Sequence, residues 1–164
     1  MKMEIQYQIR EIKTNEYPLL EQFLFEAIFI PEDEIKPDFS IIKTPELAVY
    51  LNDFGRSSDL CLVAEYQDCI IGAVWTRVLK EYEKGFGFVD DETPEICMSV
   101  LPEFRNKSIG TALLKSILEQ LSESGFRQVS LSVDLANYAY KMYQQFGFSI
   151  LKTVEQSATM IKYF

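Results

Sequence analysis

The chain has 164 residues, 48% of them hydrophobic and 25% charged, with a formal net charge of −9; that length suits one domain, expected over residues 1–164, with a real core. No apolar run approaches the ~20 residues that span a bilayer, so no membrane partner is expected, and the acidic balance without a basic stripe excludes nucleic acid. The absence of histidine removes Ser-His-Asp and Cys-His mechanisms and the commonest metal ligand, so catalysis must use carboxylates, tyrosines or the backbone, and no metal is expected.

From the N-terminus, Met1 to Arg10 alternates charged and apolar residues and lacks the continuous apolar stretch and cleavage site of a secretory signal, so a cytoplasmic location is expected. Ile5, Tyr7 and Ile9 alternate as in a half-buried strand, and Leu19, Leu20, Phe23, Leu24 and Ala27 recur at helical spacing. Pro31 and Pro37 bracket an acidic loop. Thr44 and Pro45 then offer an N-cap and first-turn proline for a short helix that Gly55 can end. Leu60 to Tyr66 and Ile70 to Leu79 read as two strands joined by a hairpin turn at Gln67 and Asp68. Lys80 to Glu92 has no periodicity and is expected to be a surface loop, and Glu95 to Leu101 is the fourth strand. From Gly110, the residues Leu113, Leu114, Ile117, Leu118 and Leu121 make the apolar stripe of a long helix closed at Gly125. Gln128 to Val133 reads as a fifth strand, Asn137 as the cap of a short helix running to Phe146, and Phe148 to Lys152 and Thr159 to Phe164 as closing strands. The order βααβββαβαββ predicts an α/β (α+β) fold. Cys61, Cys69 and Cys97 are odd in number and form no CxxC pair, which argues against disulfides and a zinc knuckle.

The segment from Arg105 to Thr111 lies between the fourth strand and the long helix. Backbone N–H groups at a helix N-terminus point outward unpaired, and the helix dipole adds partial positive charge, so a diphosphate can dock there. Gly110 would allow close approach, Thr111 would add a hydroxyl donor, and Arg105 or Lys107 would offset phosphate charge.

With its preceding strand, the run Arg105, Asn106, Lys107, Ser108, Ile109, Gly110, Thr111 resembles the Gln/Arg-x-x-Gly-x-Gly/Ala signature of the Gcn5-related N-acetyltransferases, the GNAT family. Ser108 stands where that family most often has its first glycine, and since serine disfavours positive φ the loop is expected to differ there. A second block, Asn137 to Phe148, resembles the family's Asn-Pro-Ala…Leu-Tyr-x-x-x-Gly-Phe segment. The stretches Gly55 to Glu65 and Gly85 to Glu95 are similar to a bacterial subgroup of the family.

The resemblance implies a mixed central sheet of six to seven strands flanked by about four helices, with acetyl-coenzyme A as co-substrate. It implies that Asn137 and Tyr143, with Tyr140 one turn before, flank the pantetheine arm, and that Tyr143 protonates the departing thiolate. Glu95 resembles the glutamate that many members use as a base, while Asp90, Asp91 and Glu92 could share that role or bind a cationic substrate. The fourth strand is expected to splay from the fifth, freeing backbone groups around Met98 and Val100 to bond the pantetheine and polarise the acetyl carbonyl. The expected partners are acetyl-coenzyme A and a small-molecule amine, in a monomer or homodimer. Direct acetyl transfer to a primary amine, cationic in keeping with the acidic loops, is the leading expectation. A catalytically inactive coenzyme A-binding or interaction module of the same fold is the alternative, and a phosphate-binding regulator a third.

Overall fold

Period-two alternation and two apolar helical stripes build a sheet with a core on each face. In the computed structural model, which describes residues 4–164, the strands are β1 (Gln8–Glu11), β2 (Leu60–Tyr66), β3 (Cys69–Arg77), β4 (Glu95–Val100), β5 (Gln128–Asp134), β6 (Ser149–Val154) and β7 (Ser157–Tyr163). The helices are α1 (Leu20–Glu26), α2 (Pro45–Ala48), α3 (Ile109–Glu123) and α4 (Ala139–Gln145). The strands form one mixed sheet in the order β1-β2-β3-β4-β5-β7-β6, with β4 and β5 parallel and the other pairs antiparallel. The reading of Met1 to Arg10 falls partly on residues 1–3, which lie outside the described residues.

Alternation along β2 sends Leu62 and Ala64 into the core beneath α3 and Cys61 and Val63 into the core beneath α1. Leu113, Leu114, Ile117 and Leu121 of α3 are fully buried in a core that also holds Leu62 of β2, Val74 of β3 and Leu131 of β5. On the opposite face Leu20, Phe23 and Leu24 of α1 pack with Ile42 and Trp75. Burying each such side chain contributes about 1.5–3 kcal/mol, so α3 and α1 are clamped to the sheet from both sides. No helix among the described residues is long and apolar enough to cross a membrane.

Several elements shift from their predicted bounds. β1 starts at Gln8 rather than Ile5 and pairs Ile9 with Ala64. The helix at Pro45 ends at Ala48, and Thr44 does not cap it through its side chain; the hydroxyl donates to Ile41 O at 2.7 Å instead. Gln67 and Asp68 both take positive φ, 49° and 64°, the backbone of a tight hairpin turn. The largest departure is in Lys80 to Glu92, where Gly87 is buried and a turn of 3-10 helix spans Glu81–Glu83.

Candidate active site

β4 ends before Pro102, and the chain reaches α3 through a short turn in which Asn106 (φ 62°) and Ser108 (φ 65°) both hold left-handed backbone. Asparagine tolerates that conformation, whereas serine adopts it at a cost of about 1–2 kcal/mol. Ser108 therefore takes the positive φ that its side chain disfavours. Arg105 braces the turn: its Nε donates to Val100 O at 3.0 Å and its guanidinium reaches Glu26 Oε2 at 3.3 Å, tying the end of β4 to the end of α1.

Beyond the turn, Ala112 N–H is bonded to Ser108 O at 3.1 Å. The N–H groups of Ile109, Gly110 and Thr111, one turn earlier, precede the helical ladder and have no intrahelical acceptor. A Cβ built on Gly110 would meet Met98 Cε at 3.8 Å and Val100 Cγ2 at 3.9 Å, ordinary contacts, so protein packing does not demand glycine there. What the missing side chain leaves is bare backbone on the wall of a cleft.

That cleft opens because β4 and β5 part. Among the described residues the two strands share one paired position, Glu95 with Ser130. On its other edge β4 stays in register with β3 throughout, and just past its end Leu101 N–H donates to Ile71 O at 2.9 Å. Antiparallel ladders alternate, so the N–H and C=O groups of Ile96, Met98 and Val100 point to the β5 side. The gap has a volume of about 1160 Å³ and runs from Ser108, Gly110 and Thr111 past Met98 to Glu95 and Tyr50.

Glu95 lies where the strands still meet, and it is 3% exposed. The Tyr50 hydroxyl donates to its Oε2, as does Gly87 N–H at 3.0 Å. Oε1 is buried without a hydrogen-bond partner. Burial pushes the carboxyl up to about 7, against the opposing pull of the bonds from Tyr50 and Gly87. The Tyr50 phenol is itself held well above its usual range, first by burial and then by the neighbouring carboxylate.

α4 supplies the facing wall. Asn137 Oδ1 accepts from Ala139 N–H at 2.9 Å, which starts the helix, and Gly147 closes it at φ 95°. Tyr143 is buried, its ring edge-on to Phe148 with centroids 5.8 Å apart, and burial raises its phenol far above the ordinary value. Both Asn137 and Tyr143 border the cleft.

Tyr140 and Lys107 do not line the cleft. Tyr140 packs on the α3-side core and its hydroxyl accepts from Gln144 at 3.2 Å, while Lys107 is exposed. Tyr138, 70% exposed, lines the cleft instead. The acidic run Asp90 to Glu92 is turned elsewhere: Asp90 accepts from Glu92 N–H and Thr93 Oγ1, Asp91 accepts from Glu81 N–H, and a separate hollow takes Asp90 and Glu92.

Tyr50, Gly85 and Gly87 escape a reading of the sequence. A Cβ on Gly85 would lie 2.6 Å from Glu95 Oε1 and 2.6 Å from the Tyr50 hydroxyl, and one on Gly87 would lie 2.6 Å from the backbone of Leu131. Two glycines flanking Phe86 were the available signal.

Residues 20–148 match the model of the acetyltransferase (GNAT) family. A probable N-acetyltransferase camello from Xenopus laevis is 30% identical over 99 residues, 59% of this chain but 42% of that protein, so the match spans less than half of the relative. Among solved structures, the PaiA N-acetyltransferase of Thermoplasma acidophilum in complex with coenzyme A superposes with a TM-score of 0.70 at 19% identity, covering 98% of this chain and 100% of that one. A GNAT family acetyltransferase of Streptococcus pneumoniae gives 0.69 at 22% identity, with 97% and 99% covered. One from Brucella melitensis in complex with acetyl-CoA gives 0.64 at 21% identity, with 97% and 88% covered. Likenesses at these identities speak for the fold, and the chemistry has to be argued from the site.

Proposed function

Because the chain belongs to the acetyltransferase (GNAT) family, we propose that it moves an acetyl group from acetyl-coenzyme A to a primary amine by direct transfer within the β4–β5 cleft. The observation that carries this reading is the meeting, in one cleft, of a helix N-terminus, an open strand edge, a buried phenol and a buried carboxyl.

In this scheme the N–H groups of Ile109, Gly110 and Thr111 take the diphosphate, with Asn106 and Ser108 shaping the approach and Arg105 bracing the turn. The inward backbone groups of Met98 and the N–H of Val100, whose carbonyl Arg105 already takes, bond the pantetheine, flanked by Asn137, and one of the two N–H groups polarises the acetyl carbonyl. Donors placed at a developing oxyanion contribute about 3–4 kcal/mol in other acyl transfers. An alkylammonium ionises near ~10.4, so it must shed a proton before it can attack; Glu95 takes that proton. The amine nitrogen then bonds to the carbonyl carbon, the C–S bond breaks, Tyr143, kept neutral by burial, gives its proton to the thiolate, and the second proton lost by the nitrogen as it becomes an amide restores the phenol.

Of the acids on the cleft wall, Glu26 is engaged by Arg105 and Asp134 by Ala136 N–H. Glu34 and Glu95 are left to favour a small cationic acceptor. The test is release of free coenzyme A thiol on mixing with acetyl-coenzyme A and a panel of amines. Turnover with a small amine is expected. Tight coenzyme binding with no turnover across the panel would favour an inactive binding module.

A further inference from the structure

We propose that Tyr50 is the positioning residue for Glu95, holding one carboxylate oxygen so that the other is left to receive the proton from the acceptor; this deepens, and rests on, the acetyltransferase reading. Tyr50 sits in the turn after α2, 45 residues from Glu95 in the chain, and is itself fixed at both ends. Trp75 Nε1 donates to its backbone oxygen at 3.1 Å, and Phe86 N–H donates to its hydroxyl oxygen at 2.9 Å. The phenol proton is thereby directed at Glu95 Oε2, which also takes Gly87 N–H. Two donors converge on Oε2 and none on Oε1.

The turn that supplies Phe86 and Gly87 is anchored independently of this pair. Ser130 Oγ donates to Gly87 O at 2.7 Å, and Thr159 Oγ1 to Phe86 O at 3.4 Å. Gly85 presses its backbone against both carboxylate oxygens and the phenol, leaving no room for a Cβ. The carboxyl is held by shape as well as by hydrogen bonds.

Among the described residues no cation does this work. Arg77 stands opposite Glu95 in the β3–β4 register, but its guanidinium turns to Asp59 at 3.1 Å and to Val49 O at 2.9 Å. The other titratable groups near the carboxyl are Cys97 on β4 and, beyond it, Tyr143 on α4; burial holds both in their neutral forms. The ionised form of Glu95 is therefore favoured by two dipoles, one of which a mutation can remove without touching the backbone.

The experiment follows the Glu95 carboxyl by carbon-13 NMR in protein labelled at glutamate, with the resonance assigned from Glu95→Gln. It compares wild type with Tyr50→Phe and with 3-fluorotyrosine at position 50. Loss of a donor to a charged group should raise the Glu95 midpoint by at least about one pH unit. Fluorine makes the phenol a stronger donor and should lower it, in an isostere that keeps the packing. The acidic limb of kcat/KM for the amine should move with the NMR midpoint in each case, while KM for acetyl-coenzyme A stays put. An unmoved midpoint in both variants overturns the proposal. So does a uniform loss of rate at every pH, which is what a packing role would produce. If Tyr50→Phe does not fold, the fluorotyrosine protein carries the test alone. A midpoint that shifts in a protein with no turnover would instead overturn the acetyltransferase reading and leave the Tyr50–Glu95 coupling standing.

Discussion

Glu95 ionises near pH 7 in the fold, against 4.5 for the free side chain, so folding favours its protonated form. The stability this gives is complete below about pH 4.5 and is lost as the pH rises to about 7, a loss of about 3 kcal/mol. Urea unfolding of wild type and Glu95→Gln at pH 5 and pH 8 should show the variant gaining about 2.5 kcal/mol on wild type between the two, since part of the loss already lies below pH 5. An equal difference at both pH values would mean that the carboxylate is solvated. For the phenol across the cleft, Tyr143→Phe is expected to lower kcat by about 10²-fold while leaving coenzyme affinity nearly unchanged. Calorimetric titration beside stopped-flow turnover separates the two effects, and an undiminished kcat removes Tyr143 from the proton path. Both residues could be picked from the sequence because they stand at fixed places in recognisable runs. Their environments could not, since the burial of Glu95 comes from Tyr50 and Gly85, which no local spacing connects to it.

At the scale of the element, the turn into α3 holds Ser108 in left-handed backbone without a side-chain hydrogen bond to the helix. Ser108→Gly removes about 1–2 kcal/mol of strain and restores part of that as chain entropy in the unfolded state. The net expectation is a gain of about 0.5–1 kcal/mol, a rise in Tm of roughly 2–3 °C by calorimetry; a fall in Tm would show that the hydroxyl contributes more than the strain costs. The stripe of α3 and its glycine stop were legible from period alone, and so were the strands of the β2–β3 hairpin with its two-residue turn. Lys80 to Glu92 was not, because the forces that bury Gly87 come from Ser130 and Leu131 on β5, more than 40 residues away. α2 stops after one turn, at Ala48, and Tyr50 just beyond it is held from β3 instead, by Trp75 Nε1 donating to its backbone oxygen.

Across the whole molecule, the two cores lie on opposite faces of the sheet and the cleft lies between β4 and β5, so a ligand filling it touches both halves. Acetyl-coenzyme A at 100 times its dissociation constant should stabilise the fold by about 2.7 kcal/mol. A thermal shift should therefore appear with the coenzyme; an equal response to simple nucleotides at matched saturation would point to a phosphate regulator instead. The order of strands and helices followed from the sequence, because each element carries its own period. The opening between β4 and β5 is a property of two strands at once that left no mark on the pattern of either, and it was expected only through the family resemblance. Its consequence is mechanical. With one paired position joining β1–β4 to β5–β7, the sheet has a seam, and pulling the two halves apart would find its yield point at Glu95 and Ser130. Amide protons of Met98 and Val100 should exchange quickly in the empty protein and slow when a ligand bridges the seam, so the cargo serves as a removable stitch in the fabric that carries it.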